Sequence, residues 1–159
     1  MIKKSGHQIT KRNVQMNIVF YPHRALRTKC KRVKKIDTSV ITQARQLQET
    51  LKHISRNPIR ALAANQLGFN KRIIVVKLFG DKYFTMINPQ IVKSYIPCVF
   101  PSRCLSLPMA GIKIKRCRLI VLVKYTTLAK NRNSKIFNGP RAVLMQHEIN
   151  HLNGKLIID

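Results

Sequence analysis

Two histidines four residues apart, with a glutamate directly after the first, mark the stretch of this chain best able to do chemistry: His147-Glu148-Ile149-Asn150-His151. Residues four apart on a helix share a face, so both imidazoles can bind one metal ion. Glu148 stands where a carboxylate can take a proton from a water activated by that ion. Histidines at this spacing also occur on solvated helix faces. Scarcity argues against that reading here. The chain has only 5 acidic residues and 5 histidines among 159, and this pentapeptide holds one of the acids and two of the histidines.

The flanking residues call for a helix. Pro140, in Asn138-Gly139-Pro140, suits a first helical position, and Gly154 stands where a C′ glycine ends a helix. Val143, Ile149 and Leu152 place apolar groups on or beside the metal-binding face, where they exclude water. A third ligand is still required. The extended protease form of this motif has a later histidine, but Ile157 stands in its place and Asp159 is the only other downstream candidate. The third ligand is therefore expected upstream, among Cys30, Cys98, Cys104, Cys117 and the remaining histidines. Spacing does not choose between them.

The chain length fits one domain with a real core. No apolar run reaches the ~18–20 residues that span a bilayer. Four irregularly spaced cysteines and no signal-peptide-like segment point to reduced thiols in an intracellular compartment rather than a disulfide framework. The net charge of +26 is the second prominent feature. It calls for a polyanionic partner, and the basic residues are spread along the whole chain, as in a protein embedded in an RNA assembly. Residues 1–20 include Lys3, Lys4, Lys11 and Arg12 and no acid, and they read as a basic arm or an organellar import segment. Residues 21–159 read as the folded domain.

Within that domain, Asp37, Thr38 or Ser39 can cap a helix whose apolar stripe is Ile41, Ala44, Leu47, Leu51 and Ile54, ended by Pro58. Arg72 to Leu78 and Tyr83 to Ile87, around Gly80-Asp81, read as a hairpin. Asn88-Pro89 is expected to break the second strand, with a short strand beginning at Ile91-Val92. Ile112 and Ile114 alternate with Lys113 and Lys115 as in a half-buried strand, Leu119 to Tyr125 is a strong strand, and Lys130 to Lys135 reads as a basic loop. One helix, several mostly antiparallel strands and a C-terminal metal-binding helix make an α+β fold.

Three stretches, in order, resemble the motifs of peptide deformylase: Leu62-Ala63-Ala64-Asn65-Gln66, Cys104-Leu105-Ser106, and Gln146-His147-Glu148-Ile149-Asn150-His151. Tyr21-Pro22, Leu26-Arg27 and Ile87-Asn88-Pro89 match as well, so the resemblance runs from about Tyr21 to the C-terminus. It implies a peptide-deformylase-like fold, with Cys104, His147 and His151 as ligands of one Fe(II) or Zn(II) ion per chain. It implies Glu148 as the proton-handling group, and the Gln66 amide and Leu105 backbone N–H as oxyanion donors. The implied substrate is the formyl-Met end of a nascent chain.

The departures from the family pattern matter too. Ile59 and Ala61 replace two motif glycines, Ser102-Arg103 replaces Glu-Gly, and Asn150 replaces Asp. Side chains in place of glycine can crowd a peptide bound as an added strand. Lost carboxylates remove groups that orient metal ligands. Charge and departures together lead to the expectation of a metal-binding component of a mitochondrial ribosome, bound to rRNA and ribosomal proteins, with deformylase activity reduced or lost. An active peptide deformylase with a basic docking surface is the alternative.

Overall fold

The computed structural model describes residues 18–54, 60–80 and 82–159. Most of the expected basic arm, Pro58 and Ile59 lie outside the described residues. The folded part includes Val19, whose N–H donates to the Gln66 carbonyl at 2.8 Å.

Helix α1 spans Thr38–Ile54. Asp37 caps it, its carboxylate accepting the Val40 N–H at 2.9 Å. That bond holds the Asp37 carboxyl below its usual range. The expected stripe is largely core. Ala44, Leu47 and Leu51 are buried, Val40 and Thr50 join them, and Ile41 and Ile54 are half-buried at its edge.

A single antiparallel sheet follows, with β1 (Ala61–Ala63), β2 (Ile73–Phe79), β3 (Lys82–Ser102), β4 (Lys113–Thr126) and β5 (Arg132–Asn138) in spatial order β1-β2-β3-β4-β5. Helix α2, Gly139–Leu152, closes the chain with Pro140 in its first turn. The two helices cover opposite faces of the sheet. Ile73 and Val75 of β2 join Leu62 in the cluster with α1, whereas Ile74 and Val76 join Ala61 and Ala63 in the cluster with α2. This is strand alternation with both faces buried. Each fully buried Leu or Ile contributes roughly 1.5–3 kcal/mol, while an exposed pair such as Lys52–Glu49 contributes at most about 1 kcal/mol. Core packing therefore dominates stability.

The α+β class and the antiparallel order hold. Three local expectations do not. The break at Asn88-Pro89 is absent, and β3 runs unbroken from Lys82 to Ser102. The register shifts between Ile87 and Gln90, so Pro89 sits at a bulge where its missing N–H costs no ladder bond. Asn88 takes φ +51° there. Its side chain accepts the Val33 N–H and donates to the Val33 carbonyl, both at 2.8 Å. Second, Ile112 and Ile114 are exposed rather than half-buried. Third, the basic "loop" at Lys130 to Lys135 is mostly strand β5. It is an edge strand whose polar residues face solvent while Phe137 enters the core, so its composition hides it.

Asn88→Ala should cost about 2–3 kcal/mol, since it loses both bonds to Val33 and leaves a Cβ residue at positive φ. Urea unfolding of the variant beside the parent checks this. A loss below ~0.5 kcal/mol would mean the bulge does not depend on Asn88.

Candidate metal centre

Helix α2 sets one half of the site. Its period puts His147 and His151 on one face, with Nε2 atoms 3.1 Å apart. The segment after β3 sets the other half. Cys104 follows the strand directly and brings Sγ to 3.2 Å from His151 Nε2. The three ligand atoms all lie within 4.8 Å of one another. Tetrahedral coordination with bonds of 2.0–2.3 Å separates ligands by about 3.3–3.6 Å, close to what is found. Of the four cysteines left open by spacing, the fold selects Cys104. Cys30 is buried near the Phe69 carbonyl, and Cys98 faces Cys117.

Burial lowers His147 to about 4. Burial, then the neighbouring His147, lowers His151 to about 3. Both imidazoles are therefore neutral at pH 7 and offer lone pairs. Burial pushes the Cys104 thiol up to about 12, opposed by backbone N–H groups of Ser106 and Leu107 directed at its sulfur. A divalent cation among these atoms would turn the thiol to thiolate outright. His151 Nδ1 and Glu148 Oε2 are buried and have no partner among the described residues. The Glu148 oxygen is available to a bound water or substrate, whereas His151 Nδ1 lies across the ring from the Nε2 that meets Cys104 and His147. Donor set and spacing fit one metal ion.

Glu148 lies beside this cluster, fully buried, and burial pushes its carboxyl up to about 8. A 3-10 turn, Ala64–Leu67, presents Gln66 from the opposite wall. The Ala63 N–H donates to Gln66 Oε1 at 2.9 Å, and Gln66 Nε2 donates to Ser106 Oγ at 3.2 Å, so the amide is fixed with one N–H free. The Leu105 N–H has no acceptor among the described residues. Asn65 ties this turn to the metal helix, its Nδ2 donating to the His151 carbonyl at 2.6 Å.

A cleft of about 610 Å³ opens onto these groups. Gln66, Cys104, Leu105, His147 and Glu148 line it, and Phe100, Ile112, Val143 and Leu144 form an apolar wall. Strand β1 is the sheet edge beside it, so one side of its backbone pairs with no strand, although the Ala63 N–H is taken by Gln66. Arg60, Ala61 and Arg103 also line the cleft, so two basic residues border it.

Sequence reasoning missed one contact. Ser102, in place of the family's Glu, brings Oγ to 3.3 Å from His147 Nδ1 and so orients that ring. Asn150 is exposed and bonds to neither imidazole through its side chain. Its replacement of Asp therefore removes no direct support from the ligands.

The chain matches the polypeptide deformylase family model over residues 15–159. It is 36% identical over 141 residues to a peptide deformylase of Synechocystis sp., covering 86% of this chain and 73% of that protein. It is 37% identical over 134 residues to one from Dictyoglomus thermophilum, covering 84% of each. The crystal structure of a peptide deformylase from Legionella pneumophila superposes with a TM-score of 0.82 at 31% identity, over 89% of this chain and 83% of that one. With a family match from near the N-terminus to Asp159 and a fold that carries Cys, His and His to one point, the chain belongs to the peptide deformylase family.

Proposed function

We propose that the chain is a working peptide deformylase, hydrolysing the formamide of N-terminal formyl-Met to formate and a free amine. The observation that carries this reading is the meeting of Cys104, His147, Glu148 and Gln66 at one cleft, with His151 joining Cys104 and His147 in the ligand cluster behind it. Peptide deformylases use Fe(II) or Zn(II), and Cys104, His147 and His151 would hold one such ion. When bound, it supplies Lewis-acid activation of water and of the formyl carbonyl.

The remaining steps belong to the chain. The apolar wall receives the Met side chain, and the open edge of β1 pairs with the peptide backbone. Glu148 acts as a base when ionised, which a divalent cation held beside it would favour against its burial. It then takes the proton from the attacking water and returns it to the amine nitrogen as the C–N bond breaks. The free N–H of Gln66 and the Leu105 N–H donate to the formyl oxygen as it gains charge. Gln66 pays little to be ordered for this, because Ala63 and Ser106 already hold it.

The expectation of lost activity is the weaker reading. Arg103 and Ala61 line the cleft, yet it stays open to Glu148, Cys104 and His147. A role near rRNA of a mitochondrial ribosome rests on the +26 charge and the departures from the family's motifs. As a proposal, that surface holds the enzyme where formylated chains emerge. Its mark would be release from ribosomes as salt rises, since phosphate contacts weaken steeply with ionic strength. Equal binding to uncharged beads would contradict it.

Metal removal tests the enzymatic reading. A strong chelator should abolish formate release from a formyl-Met tripeptide, and anaerobic Fe(II) should restore it. Release that persists in chelator with the metal gone would overturn this account of the site.

A further inference from the structure

Two cysteines outside the metal centre form a site of their own. Cys98 on β3 and Cys117 on β4 are direct partners across the ladder, with Sγ atoms 2.9 Å apart. Both are free thiols and partly exposed. Directly opposed residues of antiparallel strands have Cα atoms about 4.5–5.5 Å apart, inside the 4.4–6.8 Å range a disulfide spans. The bond can therefore close without moving the backbone.

Reagent can reach the pair. The two sulfurs line a surface cavity of about 610 Å³ with Val99, Arg116, Arg118 and Gln146, and no carboxylate lines it. Both arginines are exposed. Strand alternation turns the Arg116 and Arg118 side chains to the other sheet face, but a chain of net charge +26 attracts an anionic oxidant more than a neutral one. Burial, then the Cys98 thiol, pushes the Cys117 thiol up to about 11, so Cys117 rests as a thiol at neutral pH. Two sulfurs alone also fall short of the four ligands of a structural zinc site.

We propose that Cys98 and Cys117 form a redox site, closed to an intrachain disulfide by exchange with an anionic low-molecular-weight disulfide of the glutathione class. One protein thiolate attacks a sulfur of the small disulfide, giving a mixed disulfide and releasing one small thiol. The second cysteine attacks the protein sulfur of that bond and releases the other small thiol. Each proton lost by a cysteine goes to a departing thiolate. The protein dithiol is oxidised by two electrons and the small disulfide is reduced to two thiols.

Closure bears on the metal centre by topology. The ring enclosed by Cys98 and Cys117 contains Ser102, Cys104 and Leu105. Gln146, directly before His147, clasps the strand next to the pair. It accepts the Arg118 N–H at 2.9 Å and donates to the Arg118 carbonyl at 2.8 Å. A bond at this point fixes the arm that carries the metal sulfur. By loop-closure entropy for a ring of about 20 residues, it should raise the melting temperature by roughly 5–10 °C.

The test treats the zinc-loaded full chain with oxidised glutathione, then counts free thiols and maps peptides by mass spectrometry. The expected product lacks two hydrogens, keeps no glutathione, links Cys98 to Cys117, melts higher as stated, and reverts with dithiothreitol. Cys98→Ser and Cys117→Ser should each stop at a single glutathione adduct with no gain in melting temperature. Raising the ionic strength should slow the reaction with oxidised glutathione several-fold and leave the rate with neutral hydroxyethyl disulfide unchanged. Wild type stopping at mixed adducts, or a bond from either cysteine to Cys104, would overturn the proposal.

Discussion

Glu148→Gln should lower kcat/KM for a formyl-Met peptide by about 10²–10⁴, the usual range for removing a positioned proton-transfer group. The substitution keeps the shape of a fully buried side chain and changes only its ability to carry a proton. The metal should remain bound, because Cys104, His147 and His151 supply all three protein ligand atoms of the cluster. The informative result is therefore a pair of numbers, formate turnover and metal content, measured on one preparation. Loss of turnover with metal retained assigns the proton to Glu148. Full activity in the variant would mean another group handles it. None stands ready, since Gln66 is an amide and the other polar groups lining the cleft are the Ser102 hydroxyl, Arg60, Arg103 and the ligands Cys104 and His147.

Gly154→Ala should destabilise the fold by about 2–5 kcal/mol, combining a Cβ at positive φ with overpacking. Gly154 has φ +73°, and an added Cβ would lie 2.5 Å from the Arg27 carbonyl oxygen and 2.9 Å from its carbon. These are backbone atoms and cannot swing aside as a flexible side chain would. Against a typical total of about 5–15 kcal/mol, that loss is large. It should also loosen metal binding. The Gly154 N–H donates to the His151 carbonyl at 2.9 Å, so strain at this turn reaches a ligand. Equilibrium unfolding in urea checks the first effect and a zinc competition assay the second. A stability change below about 0.5 kcal/mol would show that the segment after Arg27 yields freely.

Part of this site can be read directly from the chain because its determinants are local. The spacing of His147 and His151, the proline that opens their helix and the glycine that ends it all lie within 15 residues of one another. Helical periodicity turns that spacing into geometry without help from the rest of the fold. Cys104 is different. Its choice over Cys30, Cys98 and Cys117 depends on where a 21-residue strand ends, and periodicity carries no such information. The motif resemblance supplied it instead. Strand β5 is hidden because an edge strand whose residues are mostly exposed has loop-like composition. The continuity of β3 was hidden because Asn88 satisfies the Val33 backbone from a conformation its neighbours do not share. Ser102 beside His147 and Cys98 opposite Cys117 are products of tertiary placement and strand register, which no local pattern encodes.

The charge has a different standing. A net +26 bounds the kinds of partner the surface attracts and says nothing about chemistry in the cleft. The replacements at Ala61 and Arg103 also act on the cleft's width and charge rather than on the ligands. Turnover and surface binding are thus separable properties of one chain, and a ribosome-bound enzyme that works contradicts neither.

The most direct measurement is formate released per chain from formyl-Met-Ala-Ser by anaerobic, Fe(II)-loaded protein. The account predicts many formates per chain, linear in enzyme, and ending on chelation. Stoichiometric metal with no formate above the buffer control would contradict it, and would leave the cluster of Cys104, His147 and His151 as a structural site in a deformylase fold.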